Sequence, residues 1–226
     1  MHKKILLLQT RESGLRELEE RNVSRHFPPS WYDACNFLFD DLSELDPRNY
    51  DSVIMTGSAV SISDGWQPWF ADAIRIIHGC EQRHIPFLGI CFGMQMMTLA
   101  LGGSVTKGNK VAGRVKIRTV RNTSRSIFGP LPDEFWANEV HSDHIVPPLS
   151  LVTLGWSDVC ASEIVHHRDR PMGGVQFHPE HTRATGLEFV RTYDTLGGAY
   201  RLNDLENPIS SFVDEQPPVI QHFLSL

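Results

Sequence analysis

Cys91 stands between two glycines, in the run Gly89-Ile90-Cys91-Phe92-Gly93. This pattern is typical of a nucleophile held on a sharp turn between a strand and a helix, where larger neighbours would collide with adjacent backbone. The N–H groups at the start of the following helix favour a thiolate over a thiol and offer donors to a negatively charged oxygen. The sequence therefore predicts that Cys91 is a catalytic nucleophile.

A histidine and a carboxylate follow later in the chain, in the segment Gln176-Phe177-His178-Pro179-Glu180. A cysteine nucleophile needs a base, and the base needs a partner that fixes its tautomer and stabilises the imidazolium. His178 fits the first role and Glu180 the second, because the intervening proline holds a short turn that lets their side chains meet. We predict a Cys91-His178-Glu180 catalytic group.

The elements around Cys91 follow a β-α-β pattern. Short aliphatic runs predict strands at residues 3–9, 52–55 and 86–90, and an amphipathic stretch after Pro68 predicts the connecting helix. A second helix is expected from Phe92 to Leu101, closed by a glycine pair. Cys91 is thus placed where a strand passes into a helix.

The second half of the chain has a different pattern, with alternating apolar and polar residues typical of antiparallel strands. We interpret residues 104–120 as hairpin strands around Gly108-Asn109, and we expect further strands at 150–156, 163–167 and 174–177. A helix is expected from Thr185 to about Leu196.

Bulk composition narrows the class of protein. A chain of 226 residues fits one domain over residues 1–226, and a net charge of −6 does not favour nucleic acid as a partner. No apolar run approaches the length of about 18 residues that a membrane helix needs. The four cysteines form no C-x-x-C pair, which indicates reduced thiols and a cytoplasmic protein. The histidines around His141 and His181 allow a metal interpretation, but none matches a recognised ligand spacing, and we expect no metal.

Taken together, the two motifs resemble those of the class I glutamine amidotransferase family, and most closely its stand-alone, GMP-synthase-like glutaminase group. The nucleophile motif extends to Gln95, and further similarity lies at residues 53–58, 101–105 and 140–143, so that it covers about residues 3–190. The resemblance implies an α/β fold of flavodoxin-like type, with an open, mainly parallel sheet and helices on both faces. We expect no cofactor.

The same resemblance assigns roles to residues that the motifs alone do not. The N–H groups of Gly57 and Phe92 would form the oxyanion hole, although Thr56-Gly57-Ser58-Ala59 replaces a Gly-Gly-Pro-like loop. The substrate would be bound by three residues, of which the last two act largely through main-chain atoms: Gln95, Ser142 and Asp143.

The expected activity is hydrolysis of the side-chain amide of glutamine through a γ-glutamyl thioester. The ammonia would pass to a separate synthase partner or another acceptor. One alternative is a γ-glutamyl peptidase or hydrolase that uses the same residues on a small γ-glutamyl compound. A second alternative is a binding module that has lost catalysis, against which the intact Cys91, His178 and Glu180 argue.

Overall fold

The structure is a computed structural model that describes residues 3–11, 14–195 and 212–226. Its described residues are organised around one nine-stranded sheet. The strands are β1 (Ile5–Thr10), β2 (Tyr32–Asn36), β3 (Ser52–Ser58), β4 (Phe87–Ile90), β5 (Ser104–Thr119), β6 (Glu134–Val146), β7 (Leu151–Trp156), β8 (Ile164–His167) and β9 (Met172–Val175). The helices are α1 (Arg16–Ser24), α2 (Phe70–Arg83), α3 (Phe92–Ala100), α4 (Arg183–Thr195) and α5 (Val219–Leu224).

The sheet has a parallel half and an antiparallel half, in the strand order β2-β1-β3-β4-β9-β8-β7-β5-β6. The first five strands in this order pair in parallel, whereas the pairs from β9 to β6 are antiparallel. The predicted α/β fold is confirmed. The parallel strands of the sheet form the half that contains Cys91.

The strands of the parallel half are buried on both sides because helices cover both faces of this half. In β1, Leu6 and Leu8 pack with residues of α2 and α3, while Ile5 and Leu7 pack on the other face with residues of α1 and α5. Strands covered on both faces read as continuous apolar runs, which explains the Ile5–Leu8 segment.

The prediction of a hairpin at Gly108-Asn109 is wrong. Residues 104–119 form one long strand that pairs with β6, with a register shift between Lys107 and Val111. The His144 side chain packs against Gly108 from the neighbouring strand, and a Cβ at Gly108 would lie 2.1 Å from its Cδ2, so the ring would have to move. Strand β6 and helix α5 were not predicted from the sequence.

The parallel half brings three chain segments to one edge of the sheet. Strands β3, β4 and β9 lie side by side, and the segments containing Gly57, Cys91 and His178 lie at or just beyond their carboxyl ends. Ligands of open α/β sheets bind outside this edge. Within the described residues, no helix combines the length and apolar character that a membrane span requires.

Candidate active site

Cys91 has the strained backbone conformation expected of a nucleophile at such a turn. Its φ of 52° and ψ of −104° lie in a region that non-glycine residues rarely adopt, and it directly precedes helix α3. The flanking glycines are sterically required, since a Cβ at Gly93 would lie 2.1 Å from the Met55 carbonyl oxygen. A Cβ at Gly89 would lie 2.5 Å from the backbone of Gly93. The predicted strand-turn-helix geometry is present.

The Cys91 sulfur is buried among polar partners, and only 5% of the residue is exposed. The side-chain amide of Gln176 lies 3.4 Å from Sγ, and the carbonyl oxygen of Val140 lies 3.9 Å from it. His178 lies close enough to Cys91 for the two side chains to influence each other's charge. Gln176 belongs to the base motif, but the sequence pattern alone indicated no role for it.

His178 and Glu180 form a fully buried hydrogen-bonded pair. Nδ1 of His178 lies 2.6 Å from Oε1 of Glu180, which leaves Nε2 of the imidazole for Cys91. Burial opposes a charge on His178, but Glu180 and Cys91 outweigh it, and the pKa of His178 lies well above its usual range. Burial likewise opposes a charge on Glu180, yet His178 and His181 lower the pKa of Glu180 to about 2. The arrangement favours a carboxylate beside an imidazolium.

His181, which the sequence suggested only as a metal ligand, packs against this pair. Its ring stacks on that of His178 with centroids 5.1 Å apart, and Asn22 lies within 3.3 Å of its Nδ1. Burial is the main cause that lowers the pKa of His181, to about 3, so that it stays neutral. The ring therefore restricts the orientation of His178 without adding a second charge.

A small cavity of about 100 Å³ opens beside Cys91. Gln95 lines it and is buried, and its amide nitrogen bonds the Asp143 carbonyl at 3.3 Å and Gln176 Oε1 at 3.2 Å. Ser142 also lines the cavity. The structure thus brings Gln95, Ser142 and Asp143 to one wall of the cavity.

The Asp143 side chain is already occupied by protein groups. Its carboxylate accepts hydrogen bonds from the hydroxyl groups of Ser61, at 2.8 and 2.9 Å, and of Ser63, at 2.7 Å. Lys107 lies at the rim, with Nζ 3.0 Å from Asp64. The Asp143 carboxylate is therefore already engaged by the protein.

The two predicted oxyanion donors differ in their surroundings. Phe92 is the first residue of α3, so its N–H has no partner within the helix. The N–H of Gly57, in contrast, donates to Oε1 of Glu19 at 3.1 Å. Glu19 is fully buried on α1, and nothing in the sequence pattern singled it out. In this conformation Gly57 does not offer its N–H to the cavity.

A second buried cluster of ionisable groups lies on β6 and just before β8. Nε2 of His141 lies 2.8 Å from Glu139 Oε2, and its Nδ1 lies 3.2 Å from the Asp143 carbonyl oxygen. Because a carbonyl only accepts, Nδ1 carries a hydrogen. Burial lowers the pKa of His141, so the neutral ring is favoured and Nε2 accepts from the protonated form of Glu139. Burial raises the pKa of Glu139 to about 7, and burial and Glu139 raise that of Glu163 well above its usual range. This cluster and His178-Glu180-His181 are the two places in the described chain where metal-ligand side chains converge.

Replacing Glu139 with glutamine is expected to flatten the dependence of stability on pH. Between pH 4.5 and about 7, Glu139 is protonated in the folded chain but ionised in the unfolded chain. The free energy of unfolding of the wild-type protein therefore falls as pH rises through this window. The loss is on the order of 3 kcal/mol, and glutamine can still donate to His141 without titrating. Urea unfolding of both proteins at about pH 5 and pH 8 measures the difference. Parallel pH dependences would contradict the assignment of this proton.

Within the described residues, Cys91 is the one of the four cysteines whose side chain interacts with a histidine. Burial raises the pKa of Cys80 to about 12, and burial also raises the pKa values of Cys35 and Cys160. A glutamine-like diazoketone is therefore expected to add once per chain, at Cys91, as measured by peptide mass spectrometry. Labelling spread over several cysteines would count against a distinct nucleophile.

The fold and the site define a class of protein, and comparison with known proteins agrees with it. Residues 16–191 match the family model of class I glutamine amidotransferase, and the chain belongs to this family of cysteine-dependent amidohydrolases. A relative from Thermoplasma acidophilum, named as a subunit of glutamine-hydrolysing GMP synthase, is 32% identical over 171 residues, which is 74% of this chain and 81% of that protein. The GMP synthase subunit of the same name from Pyrococcus furiosus is 34% identical over 70% of this chain and 80% of its own length.

The fold has a close match among solved structures. A glutamine amidotransferase from Thermotoga maritima superposes with a TM-score of 0.74 at 21% identity, and the match covers 99% of this chain and 95% of that one. The similarity extends beyond the residues that match the family model.

Proposed function

We propose that this protein hydrolyses the side-chain amide of glutamine with Cys91 as nucleophile, His178 as general acid and base, and Glu180 as the group that orients His178. The observation that carries the proposal is the buried chain of contacts from Cys91 through His178 to Glu180, which ends in a 2.6 Å hydrogen bond. It lies beside a cavity at the carboxyl edge of the sheet. Family membership supports the reaction class.

The reaction proceeds through two displacements at one carbonyl carbon. The Cys91 thiolate adds to the amide carbon, and the carbonyl oxygen becomes an oxyanion. The imidazolium of His178 gives its proton to the departing nitrogen, so that ammonia leaves and a γ-glutamyl thioester remains. His178 then takes a proton from water, which attacks the thioester and releases glutamate, and the thiolate-imidazolium pair is restored.

The oxyanion requires N–H donors directed at the position it will occupy. The Phe92 N–H at the start of α3 supplies one, and the helix dipole favours the negative charge there. The end of β3 and the loop after it supply the other, because Ser58, the last residue of β3, and Ala59 line the cavity with Cys91. Gly57 itself could donate only after leaving Glu19.

The substrate's amino-acid end is proposed to lie against Gln95 and the main chain at Ser142 and Asp143. Gln95 uses its amide nitrogen to join Asp143 to Gln176, so it holds the cavity wall as well as facing the substrate. Since Ser61 and Ser63 occupy the Asp143 carboxylate, Asp143→Asn should affect the loop more than direct substrate contact.

A separate synthase is the proposed destination of the ammonia. The relatives from Thermoplasma acidophilum and Pyrococcus furiosus are each named as one subunit of a glutamine-hydrolysing GMP synthase, and this designation implies an assembly. We propose that this chain likewise works with a synthase subunit of its own, in the cytoplasm, where its four free cysteines stay reduced.

A substrate panel tests the proposal against its alternatives. Ammonia and amine release should be measured with glutamine, asparagine and several γ-glutamyl peptides, with Cys91→Ala as the blank. The proposal predicts that glutamine has the highest kcat/KM. Turnover of γ-glutamyl peptides without turnover of glutamine would identify a γ-glutamyl hydrolase, and no turnover of any compound would leave a binding module.

A further inference from the structure

A buried ion pair lies directly behind Gly57, where β3 passes into the loop that follows Ser58. Arg11 follows β1 and Glu19 lies on α1, and they are 2% and 0% exposed. The guanidinium contacts the carboxylate twice, through Nε to Oε2 and through Nη2 to Oε1 at 3.3 Å. Burying such a pair is costly, and apolar residues of similar size often stabilise a fold equally well. The pair therefore calls for an explanation other than stability.

Glu19 has a third contact, which connects the ion pair to the site. Its Oε1 accepts the Gly57 N–H at 3.1 Å, while the Gly57 carbonyl accepts from the Thr10 hydroxyl at 3.0 Å. The peptide groups before and after Gly57 are both tied to side chains. The backbone is also tightly enclosed, since a Cβ at Gly57 would lie 2.6 Å from Arg11 Nη2 and 3.1 Å from His178 Cε1.

These contacts determine which backbone N–H groups near Gly57 are available to stabilise the oxyanion. An N–H that already donates to a carboxylate cannot also stabilise an oxyanion, and the carboxylate would repel a second negative charge close by. Ser58 and Ala59, which follow, reach the cavity wall beside Cys91.

We infer that Glu19, held in place by Arg11, is a positioning residue that fixes Gly57 so that the Ser58-Ala59 segment presents its backbone to the oxyanion. The inference rests on the proposed hydrolysis and adds a group that contacts neither the substrate nor the thiol. Glu19 anchors the loop at one peptide group and Thr10 anchors it at the next. The oxyanion donor is then a residue after Gly57.

Two isosteric substitutions test this role. In Glu19→Gln one carboxylate oxygen becomes an NH2 group that cannot accept from Arg11, so the guanidinium no longer holds the side chain through both of its contacts. Thr10→Val removes the hydroxyl that bonds the Gly57 carbonyl. We expect kcat for glutamine to fall roughly 10- to 10²-fold in Glu19→Gln and less in Thr10→Val, with KM nearly unchanged. Alkylation of Cys91 by iodoacetamide should keep its wild-type rate, because displacement at that carbon forms no oxyanion.

Matched variants control for folding and for charge. Arg11→Met combined with Glu19→Leu removes both charges together, so it should fold and still lose kcat. Glu188→Gln breaks the exposed pair that α4 forms with Arg21 of α1, and it should change nothing. Thermal unfolding of each variant shows whether the fold is intact.

Each outcome decides the inference. Unchanged kcat in folded Glu19→Gln would overturn it, and a higher kcat would show that Glu19 competes with the oxyanion for the Gly57 N–H. If the rate of alkylation fell together with kcat, the substitution would act on the reactivity of Cys91 and His178, and not on the oxyanion donor. If the wild-type protein hydrolysed nothing, the proposed function would fail separately. Hydrogen exchange of the Gly57 amide would then test whether Glu19 anchors the backbone. Exchange should be faster in Glu19→Gln, and an unchanged exchange rate would refute the anchor.

Discussion

Replacing Cys91 with serine is expected to lower glutamine hydrolysis by roughly 10³-fold or more while the protein keeps its fold. A hydroxyl is similar in size to a thiol but much harder to ionise, so His178 would no longer face a thiolate. The side chain is buried and sits on the strained turn, and serine can adopt the same backbone conformation at the same cost. Steady-state kinetics and thermal unfolding measure the two effects.

Cys35→Ser is the matched control for this substitution. Cys35 lies on β2, away from the cavity and only partly buried, so its replacement should leave kcat unchanged. Retained hydrolysis in Cys91→Ser would place the nucleophile elsewhere. A lost fold in Cys91→Ser would make the thiol structural and leave its chemical role without support.

A second large loss, also roughly 10³-fold in kcat, is expected for His178→Ala, and a smaller one of roughly 10- to 10²-fold for Glu180→Gln. In Glu180→Gln the hydrogen bond to Nδ1 can persist, but the negative charge that raises the pKa of His178 is gone. Burial then dominates and favours a neutral ring, so the thiolate-imidazolium pair is weakened. The limb of the pH-rate profile that reports the ionisation of His178 should therefore move to lower pH in Glu180→Gln.

The double variant shows whether the two residues act as a unit. Once His178 is absent, Glu180 has no ring to orient, and the combined loss should be close to that of His178→Ala alone. Full additivity would contradict this coupling. An unchanged kcat in Glu180→Gln would mean that the catalytic group consists of Cys91 and His178 without Glu180.

The part of the site that the sequence predicts well is local in the chain. The turn around Cys91 depends on two glycines within two residues of it, and the contact of His178 with Glu180 depends on one intervening proline. Short-range patterns of this kind have few structural solutions. Their meeting follows from β4 and β9 being parallel neighbours, whereas the family resemblance implied only a mainly parallel sheet.

Glu19 shows why the environment of the oxyanion loop could not be predicted. It lies among charged residues of α1, a pattern that normally indicates a solvated helix face. Its burial depends on Arg11, eight residues earlier, and on Gly57, thirty-eight residues later. No spacing rule connects these three positions.

The antiparallel half shows a similar limit. Gly108 and Asn109 form a dipeptide that often marks a turn, yet the strand continues because β6 pairs along most of its length. The His144 side chain packs against Gly108 from that strand. Likewise, Asp143 was predicted near the substrate, but the serines that occupy its carboxylate, Ser61 and Ser63, lie 82 and 80 residues earlier in the chain.

The most direct measurement is to trap the covalent intermediate. Wild-type protein turning over glutamine should be quenched rapidly in acid, digested and examined by peptide mass spectrometry. We expect a γ-glutamyl group, which is glutamine less ammonia, on the peptide that contains Cys91 and on no other. Hydroxylamine should remove it, as it cleaves a thioester. Hydrolysis of glutamine with no adduct at Cys91, or with an adduct on another residue, would contradict the account.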